Sequence, residues 1–299
     1  VRQIAVVVNP ISGSGPRDRA LAEFTAALEK GGASVRVRPT GAPGDGAVIA
    51  REESAAGTDV VVAAGGDGTV NDVATGLAAA GAGAAALAIF PRGTSNLVAR
   101  DLGLPFRARD NARLVLTGAT VPMDLGAANG RPFVACVGVG WDAHVVKLLS
   151  KARTGHIRFG TWVKPIAQAL LEYEFEPLRV VAEDGRTAEG ALAIVFNTRP
   201  YAALFTPVPG ARRDDGLLDV LVLAKGGLAD LPRWAWKGHA GTLDRDRSAT
   251  VLRSTRFRIE SAKPLPVQID GDVGGETPLD ILVRPAAIRV IAPAAERGT

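Results

Sequence analysis

One stretch limits what this chain can fold into more than any other. The apolar run Val60–Ala64 passes directly into Gly65-Gly66-Asp67-Gly68-Thr69, and a helical pattern follows to Ala80. A β-branched and alanine run without alternation reads as a strand buried on both faces, the situation of a parallel sheet covered by helices. Glycines between such a strand and a helix let backbone N–H groups curl around an anion, and the helix N-terminus adds its dipole. Asp67 in that turn repels an anion directly; its sensible partner is Mg²⁺ that also grips phosphates. The plainer alternative is a glycine-rich turn with Asp67 as a helix cap.

The surrounding sequence repeats the arrangement. Ile4–Val8, Ser34–Arg38 and Ala86–Phe90 read as further strands. Helical spacing follows Pro16, recurs over Asp45–Ala56, and returns at Asn96–Asp101 and Ala108–Leu116. Strand–helix alternation implies a parallel α/β unit. Two more loops rich in small polar residues follow strands, Asn9-Pro10-Ile11-Ser12-Gly13-Ser14-Gly15 and Pro91-Arg92-Gly93-Thr94-Ser95-Asn96. Successive strand C-termini of a parallel sheet open onto one edge, so the three loops converge on one phosphate-binding crevice.

After Met123 the pattern changes. Arg131–Val139, Leu178–Glu183, Thr187–Asn197, Leu217–Ala224, Thr250–Glu260, Pro266–Asp270 and Thr277–Ile291 read as strands, with Asp184-Gly185 as a hairpin turn. They predict an antiparallel β-sandwich, interrupted by helices at Asp142–Ser150 and at Phe159–Tyr173, whose apolar face is Trp162, Ile166, Ala169 and Leu170. The expected division is residues 1–124 as the α/β unit and 125–287 as the sandwich.

Composition removes several classes. The single cysteine, Cys136, excludes a disulfide framework, and it reads as a small core residue. Three scattered histidines give no His-x-x-x-His pair for a metal. The 19 uncharged residues of Val73–Pro91 are mostly alanine and glycine, so they read as a packed helix and strand rather than a membrane span. No charged region followed by an apolar one opens the sequence, and a soluble cytoplasmic protein is the expectation. Net charge is +4, with 12 basic and 12 acidic residues up to Asp124 and 23 against 19 beyond it. With aromatics at 5%, a nucleic-acid partner is not expected.

Other signatures are absent or weak. There is no Gly-x-x-x-x-Gly-Lys-Ser/Thr and no Gly-x-Ser-x-Gly. Gly138-Val139-Gly140-Trp141-Asp142-Ala143 matches a loose dinucleotide fingerprint but lacks a βαβ setting, and reads as a tight strand-to-helix turn. Two acidic clusters, Asp214-Asp215-Gly216-Leu217-Leu218-Asp219 and Asp270-Gly271-Asp272, read as solvated turns or as candidate ligands; Asp270 and Asp272 have the spacing of a metal ligand and a general base.

Taken in order, Asn9-Pro10-x-Ser12-Gly13, Gly65-Gly66-Asp67-Gly68-Thr69, Pro91-x-Gly93-Thr94-x-Asn96, Gly138-x-Gly140-x-Asp142-Ala143, Asp214-Asp215-Gly216-x-Leu218-Asp219-Val220 and Asp270-Gly271-Asp272 resemble the motifs of the diacylglycerol kinase catalytic-domain family, from Val8 to Pro293. The likeness is to its bacterial soluble lipid kinases, relatives of sphingosine and NAD kinases. It implies an NAD-kinase-like α/β domain, a β-sandwich acceptor domain, a nucleotide in the cleft, and a last segment (about 288–299) that returns to the first domain. Asn9, Ser12, Gly13, Thr40, Gly65, Gly66, Asp67, Gly68, Thr69, Asn71 and Thr94 would hold ATP with Mg²⁺. Asp272 would be the general base, with Asp67 and Asp270 in support. Asp215 with the carbonyls of Arg212 and Leu217 would form a structural magnesium site.

The chain departs from the family pattern at three places. Asp272 stands for the usual glutamate and reaches about 1.5 Å less. Leu97 stands for a common aspartate, and Tyr201-Ala202-Ala203-Leu204-Phe205 replaces a glycine-rich run.

The implied activity is ATP-dependent phosphorylation of a lipid hydroxyl, diacylglycerol-like or sphingoid. The alternatives are a NAD kinase-like enzyme and a catalytically silent nucleotide- or lipid-binding regulator. A lipid acceptor gives the basic second half a role in peripheral membrane attachment: Lys147, Lys151, Arg153, Arg158 and Lys164 form one cluster, and Lys225–Arg258 another, flanked by Trp162, Trp234 and Trp236. Some relatives pair, so a homodimer stays open.

Overall fold

The computed structural model describes residues 1–10, 19–152, 163–224 and 230–294. The chain divides into two compact units, Val1–Met123 with Ala286–Thr299, and Asp124–Pro285. The first contains β1 (Gln3–Val8), α1 (Arg19–Lys30), β2 (Ser34–Pro39), α2 (Asp45–Ala55), β3 (Val60–Gly65), α3 (Asp67–Ala80), β4 (Ala86–Pro91), α4 (Leu97–Asp101) and α5 (Ala108–Thr117). β5 (Ala119–Ala128) leads into the second, which holds β6 (Arg131–Phe133), β7 (Cys136–Gly140), α6 (Trp141–Ala152), α7 (Val163–Glu172), β8 (Leu178–Ala182), β9 (Thr187–Gly190), β10 (Leu192–Phe196), β11 (Leu218–Leu223), α8 (Asp230–His239), β12 (Ala249–Ser254), β13 (Arg256–Ser261), β14 (Pro266–Ile269) and β15 (Asp272–Glu276). β16 (Leu279–Ala292) starts in the second unit and ends in the first.

In the first unit the strands run in parallel in the order β2-β1-β3-β4, and the end of β16 joins beside β4 through Val290 and Leu87. β3 and β4 are buried along their whole length, which is why they show no polar alternation. α1 lays Phe24 and Leu28 against the sheet, and Phe24 stacks on Phe90 with ring centroids 4.3 Å apart. Burying each such side chain stabilises by roughly 1.5–3 kcal/mol. The uncharged Val73–Pro91 stretch is the end of α3 followed by β4, and among the described residues no helix is long and apolar enough to cross a membrane.

The second unit is an antiparallel sandwich. One sheet carries β16, β13, β8 and β9; the other runs β12-β11-β10-β7-β14-β15. Its core draws alternate residues from both, including Val137, Val139, Val180, Val195, Val220, Phe257 and Ile281.

Three runs that read as single strands are each two. Arg131–Val139 divides into β6 and β7, Thr187–Asn197 into β9 and β10, and Thr250–Glu260 into β12 and β13. In every case the first half pairs in one sheet and the second half in the other. The chain crosses the sandwich at these points, and apolar patterning continues through the crossing because both halves face the same core. β5, β15 and α8 are additional to the sequence reading.

Candidate phosphate site and acceptor turn

The carboxyl ends of β1, β2, β3 and β4 lie along one edge of the parallel sheet, so Asn9, Thr40, Gly65–Thr69 and Gly93–Asn96 share that edge. Ser12 and Gly13 lie outside the described residues. The Thr40 N–H is held by the Val8 carbonyl at 2.9 Å, and that of Arg92 by the Gly65 carbonyl at 2.8 Å. Gly66 and Gly93 touch backbone to backbone; a Cβ on Gly93 would lie 2.5 Å from the Gly66 Cα. A Cβ on Gly65 would strike the Thr69 hydroxyl, which fixes Thr69 as a buried packing residue. Gly68 faces open space at the first turn of α3, and Thr94 is exposed. Asn71, one turn into α3, accepts from the Thr75 hydroxyl at 3.3 Å. The glycine loop thus has open space at Gly68 with a 14-residue helix behind it, a setting suited to an anion.

Asp67 does not cap its own helix: α3 has no side-chain cap. Its Oδ1 instead accepts the backbone N–H of Leu97 at 2.6 Å, joining the start of α3 to the start of α4. Burial pushes the Asp67 carboxyl up, while the N–H groups of Leu97, Val98 and Asn96 pull it back. Asn96 shapes this corner from a left-handed conformation (φ 49°), and its side-chain oxygen accepts from Gly93 N–H at 2.8 Å. Asp67 is the carboxylate of this loop suited to sharing Mg²⁺ with phosphates; Leu97 contributes a main-chain N–H where a second carboxylate would add charge.

In the second unit, Asp270 and Asp272 sit on the turn between β14 and β15 and do different things. The Asp270 carboxylate accepts three backbone N–H groups, from Val134 at 2.7 Å and from Ala135 and Cys136 at 2.9 Å each. These bonds use both carboxylate oxygens to fasten the turn to the start of β7. Asp272 is 61% exposed on its side chain and lies 3.8 Å from Arg131. Its carboxylate is available.

The Arg212–Asp219 segment is organised by ion pairs. Asp215 Oδ1 accepts from the Leu217 N–H at 3.1 Å, and Oδ2 faces Arg253 at 3.4 Å. Arg253 also reaches Asp219 at 3.0 Å. Gly216 N–H donates to Asp124 at 2.7 Å, and Arg212 is occupied with Asp214. The residues read as a structural magnesium site, Arg212, Asp215 and Leu217, therefore lie on one segment, with Arg253 as the cation that meets Asp215. Among the described residues no group of three or more His, Cys, Asp or Glu is placed to hold a metal.

Sequence reasoning missed a buried polar group at the start of α6. Asp142 Oδ2 accepts from the Tyr201 hydroxyl at 3.0 Å and from Gln268 Nε2 at 3.3 Å. Gly138 leaves room for it, since a Cβ there would lie 1.8 Å from Asp142 Oδ2. The Gly138–Ala143 motif is therefore a strand-to-helix turn that packs an aspartate, and its signal was the aspartate inside an apolar run. Tyr201 is presented by a loop whose Ala202 and Ala203 both hold left-handed φ (48° and 63°). Gln268 had its own signal, an amide in the apolar strand β14.

The interfacial reading of the tryptophans divides. Trp234 is 4% exposed and donates to the Ser248 hydroxyl at 3.1 Å, so it is core, whereas Trp236 is 72% exposed; Trp162 lies outside the described residues. Several of the nearby cations are compensated: Arg233 and Lys237 meet Asp246, and Lys147 meets Glu276. A hollow of about 600 Å³ in the first unit is lined by Arg2, Asp59, Ala86 and Arg289 at the amino edge of the sheet, away from the glycine loop.

Fold and site define a two-unit protein: a parallel α/β unit with a glycine loop at its carboxyl edge, and an antiparallel sandwich. The diacylglycerol kinase catalytic domain model matches residues 3–128, and the YegS C-terminal NAD kinase beta sandwich-like domain model matches residues 135–292. The chain belongs to this bacterial diacylglycerol kinase-like family. Curated relatives include a diacylglycerol kinase of Bacillus subtilis (strain 168), 27% identical over 98% of this chain and 97% of the relative, and one of Staphylococcus carnosus (strain TM300), 25% identical over 100% and 97%. A crystal structure of a diacylglycerol kinase from Bacillus anthracis str. Sterne aligns with a TM-score of 0.79 at 25% identity, covering 98% of this chain and 97% of the other.

Proposed function

We propose that this protein transfers the γ-phosphoryl group of ATP to a hydroxyl of a lipid held at a membrane surface. The observation that carries the reading is the open Gly65–Thr69 loop at the carboxyl edge of the parallel sheet, in a chain of this family. Phosphoryl transfer asks a protein for positioning and charge neutralisation more than for covalent chemistry. The loop amides around Gly68 and the N-terminus of α3 would bind the phosphate oxygens. Magnesium, held by Asp67 together with the phosphates, would supply further charge neutralisation. Asp272 would accept the proton of the attacking hydroxyl, and its exposed carboxylate supports that role. Trp236, with an apolar ring and a polar N–H, would sit at the lipid–water boundary.

The test is transfer of label from γ-labelled ATP into a total lipid extract, with identification of the product. A labelled lipid, formed at least a hundredfold more slowly by Asp272→Ala, is the expected result. Labelling of NAD in place of lipid, or nucleotide binding with no turnover, would overturn the assignment.

A further inference from the structure

Gln268 is 3% exposed and bonded at both ends of its amide. Nε2 donates to Asp142 Oδ2 at 3.3 Å, and Oε1 accepts the backbone N–H of Gly271 at 2.8 Å. Its neighbours on β14, Val267 and Ile269, point into the sandwich core, while Gln268 points to the opposite face, toward Asp142 of α6 and Cys136. Filling that face needs only apolar volume. A buried amide costs free energy unless its polar atoms are paired, and here both are. Asp142 is anchored from a third side by the Tyr201 hydroxyl at 3.0 Å. The result is a continuous path, Tyr201 to Asp142 to Gln268 to Gly271, ending one residue before Asp272.

We propose that Gln268 is a positioning residue: its amide fixes the backbone of the turn that presents Asp272 by tying Gly271 to the buried Asp142–Tyr201 pair. The inference rests on the reading of Asp272 as the general base. The turn needs such a tie. Asp270 and Gly271 both hold left-handed φ (50° and 84°), and Asp272 itself is exposed, with Arg131 3.8 Å away. An aspartate has fewer rotatable bonds than a glutamate, so its carboxylate follows the backbone closely. Asp270 fastens the turn on one side through Val134–Cys136; Gln268 fastens it on the other. A misplacement of about 1 Å at a reacting group can cost on the order of a hundredfold in rate.

The experiment compares wild type, Gln268→Met, Asp272→Ala and the double variant in the labelled-lipid assay, with KM for ATP and thermal midpoints measured alongside. Gln268→Met is expected to lower kcat at least tenfold with KM for ATP unchanged. On the Asp272→Ala background it should cost nothing more, because the group it positions is gone. Gln268→Asn, which stays polar but is too short to span both partners, should lose activity similarly and serves if the Met variant does not fold. Wild-type kcat in a folded Gln268 variant, or a loss that multiplies undiminished on the Asp272→Ala background, overturns the inference. Wild-type turnover in Asp272→Ala alone would instead overturn the base assignment, and the two failures are told apart by that single variant.

Discussion

The side chain of Asp67 and the backbone of Leu97 are joined by a 2.6 Å hydrogen bond, so the first residue of α3 caps the first residue of α4. Two loops at the sheet edge, one after β3 and one after β4, are locked together by this contact and by the touching backbones of Gly66 and Gly93. The carboxylate thus has a structural task beside its place in the phosphate loop. Asp67→Asn keeps an oxygen for the Leu97 N–H and removes the charge; Asp67→Ala removes both. Lipid-dependent ATP turnover should fall at least a hundredfold in each. Thermal melting should separate them, with Ala less stable than Asn by about 0.5–1.5 kcal/mol, the net worth of the neutral hydrogen bond that Asn retains.

Glu53, buried on α2, bonds Arg36 at 2.7 Å and Arg38 at 2.5 Å from β2 and accepts from Thr58 at 3.0 Å. Burial alone would raise its pKa, but Arg36, Thr58 and Arg38 outweigh it and leave the carboxyl below the usual value. A carboxyl depressed in the folded state stabilises above its unfolded pKa, and that contribution is lost as pH falls through the folded one. Glu53→Gln should therefore cost about 2 kcal/mol near neutral pH, with the deficit shrinking below about pH 4. Urea unfolding of both proteins at several pH values measures it; a deficit independent of pH would refute the ion-pair account.

The parallel unit was legible because β3 and β4 are buried on both faces and their apolar runs end in glycine loops. The sandwich was legible as strands but not as crossings, since an apolar run reads the same whether it stays in one sheet or changes sheet at Ala191 or Thr255. β5 carries Pro122 and Gly126, and β15 carries Gly274 and Gly275, residues whose strand propensity is poor; pairing with neighbours overrides it. At the site, residue types and loops could be read, while the contacts assigning their work could not. Asp67 meets Leu97 across 30 residues, and Asp270 meets Val134 across 136. No local pattern encodes such partners. Gln268 shows the same limit: its partner Gly271 is close in sequence, but its partner Asp142 is 126 residues away.

Trp234 and Trp236, two residues apart on α8, should behave oppositely. Trp234→Ala empties a packed site and should destabilise by about 3–5 kcal/mol. Trp236→Ala should change stability by less than about 0.5 kcal/mol, because the ring is exposed. If α8 meets the membrane, Trp236→Ala should weaken binding to anionic vesicles several-fold. Arg245 and Arg247 are exposed and make no ion pair among the described residues, so replacing both with glutamate should weaken that binding too and reduce its sensitivity to salt. Vesicle flotation at two salt concentrations reads all three variants, and equal binding to neutral vesicles would count against an electrostatic contribution.

Asp142 offers the opposite pH signature to Glu53. Burial raises its carboxyl to about 6, against the bonds from Tyr201 and Gln268 that favour the ionised form. The folded protein therefore holds a proton there that the unfolded chain gives up near pH 4, and stability contributed by this group declines as pH rises from about 4 to about 6. Asp142→Asn can place its oxygen where Oδ2 accepts from Tyr201 and Gln268, and it never has to ionise. Relative to wild type, the Asn variant should gain stability with rising pH across that window, reaching at most about 3 kcal/mol above pH 7. Thermal melting of both proteins from pH 4 to pH 8 tests this. A stability difference that stays flat across the range would mean that Asp142 titrates at an ordinary carboxylate pKa and that its burial at the start of α6 is incomplete.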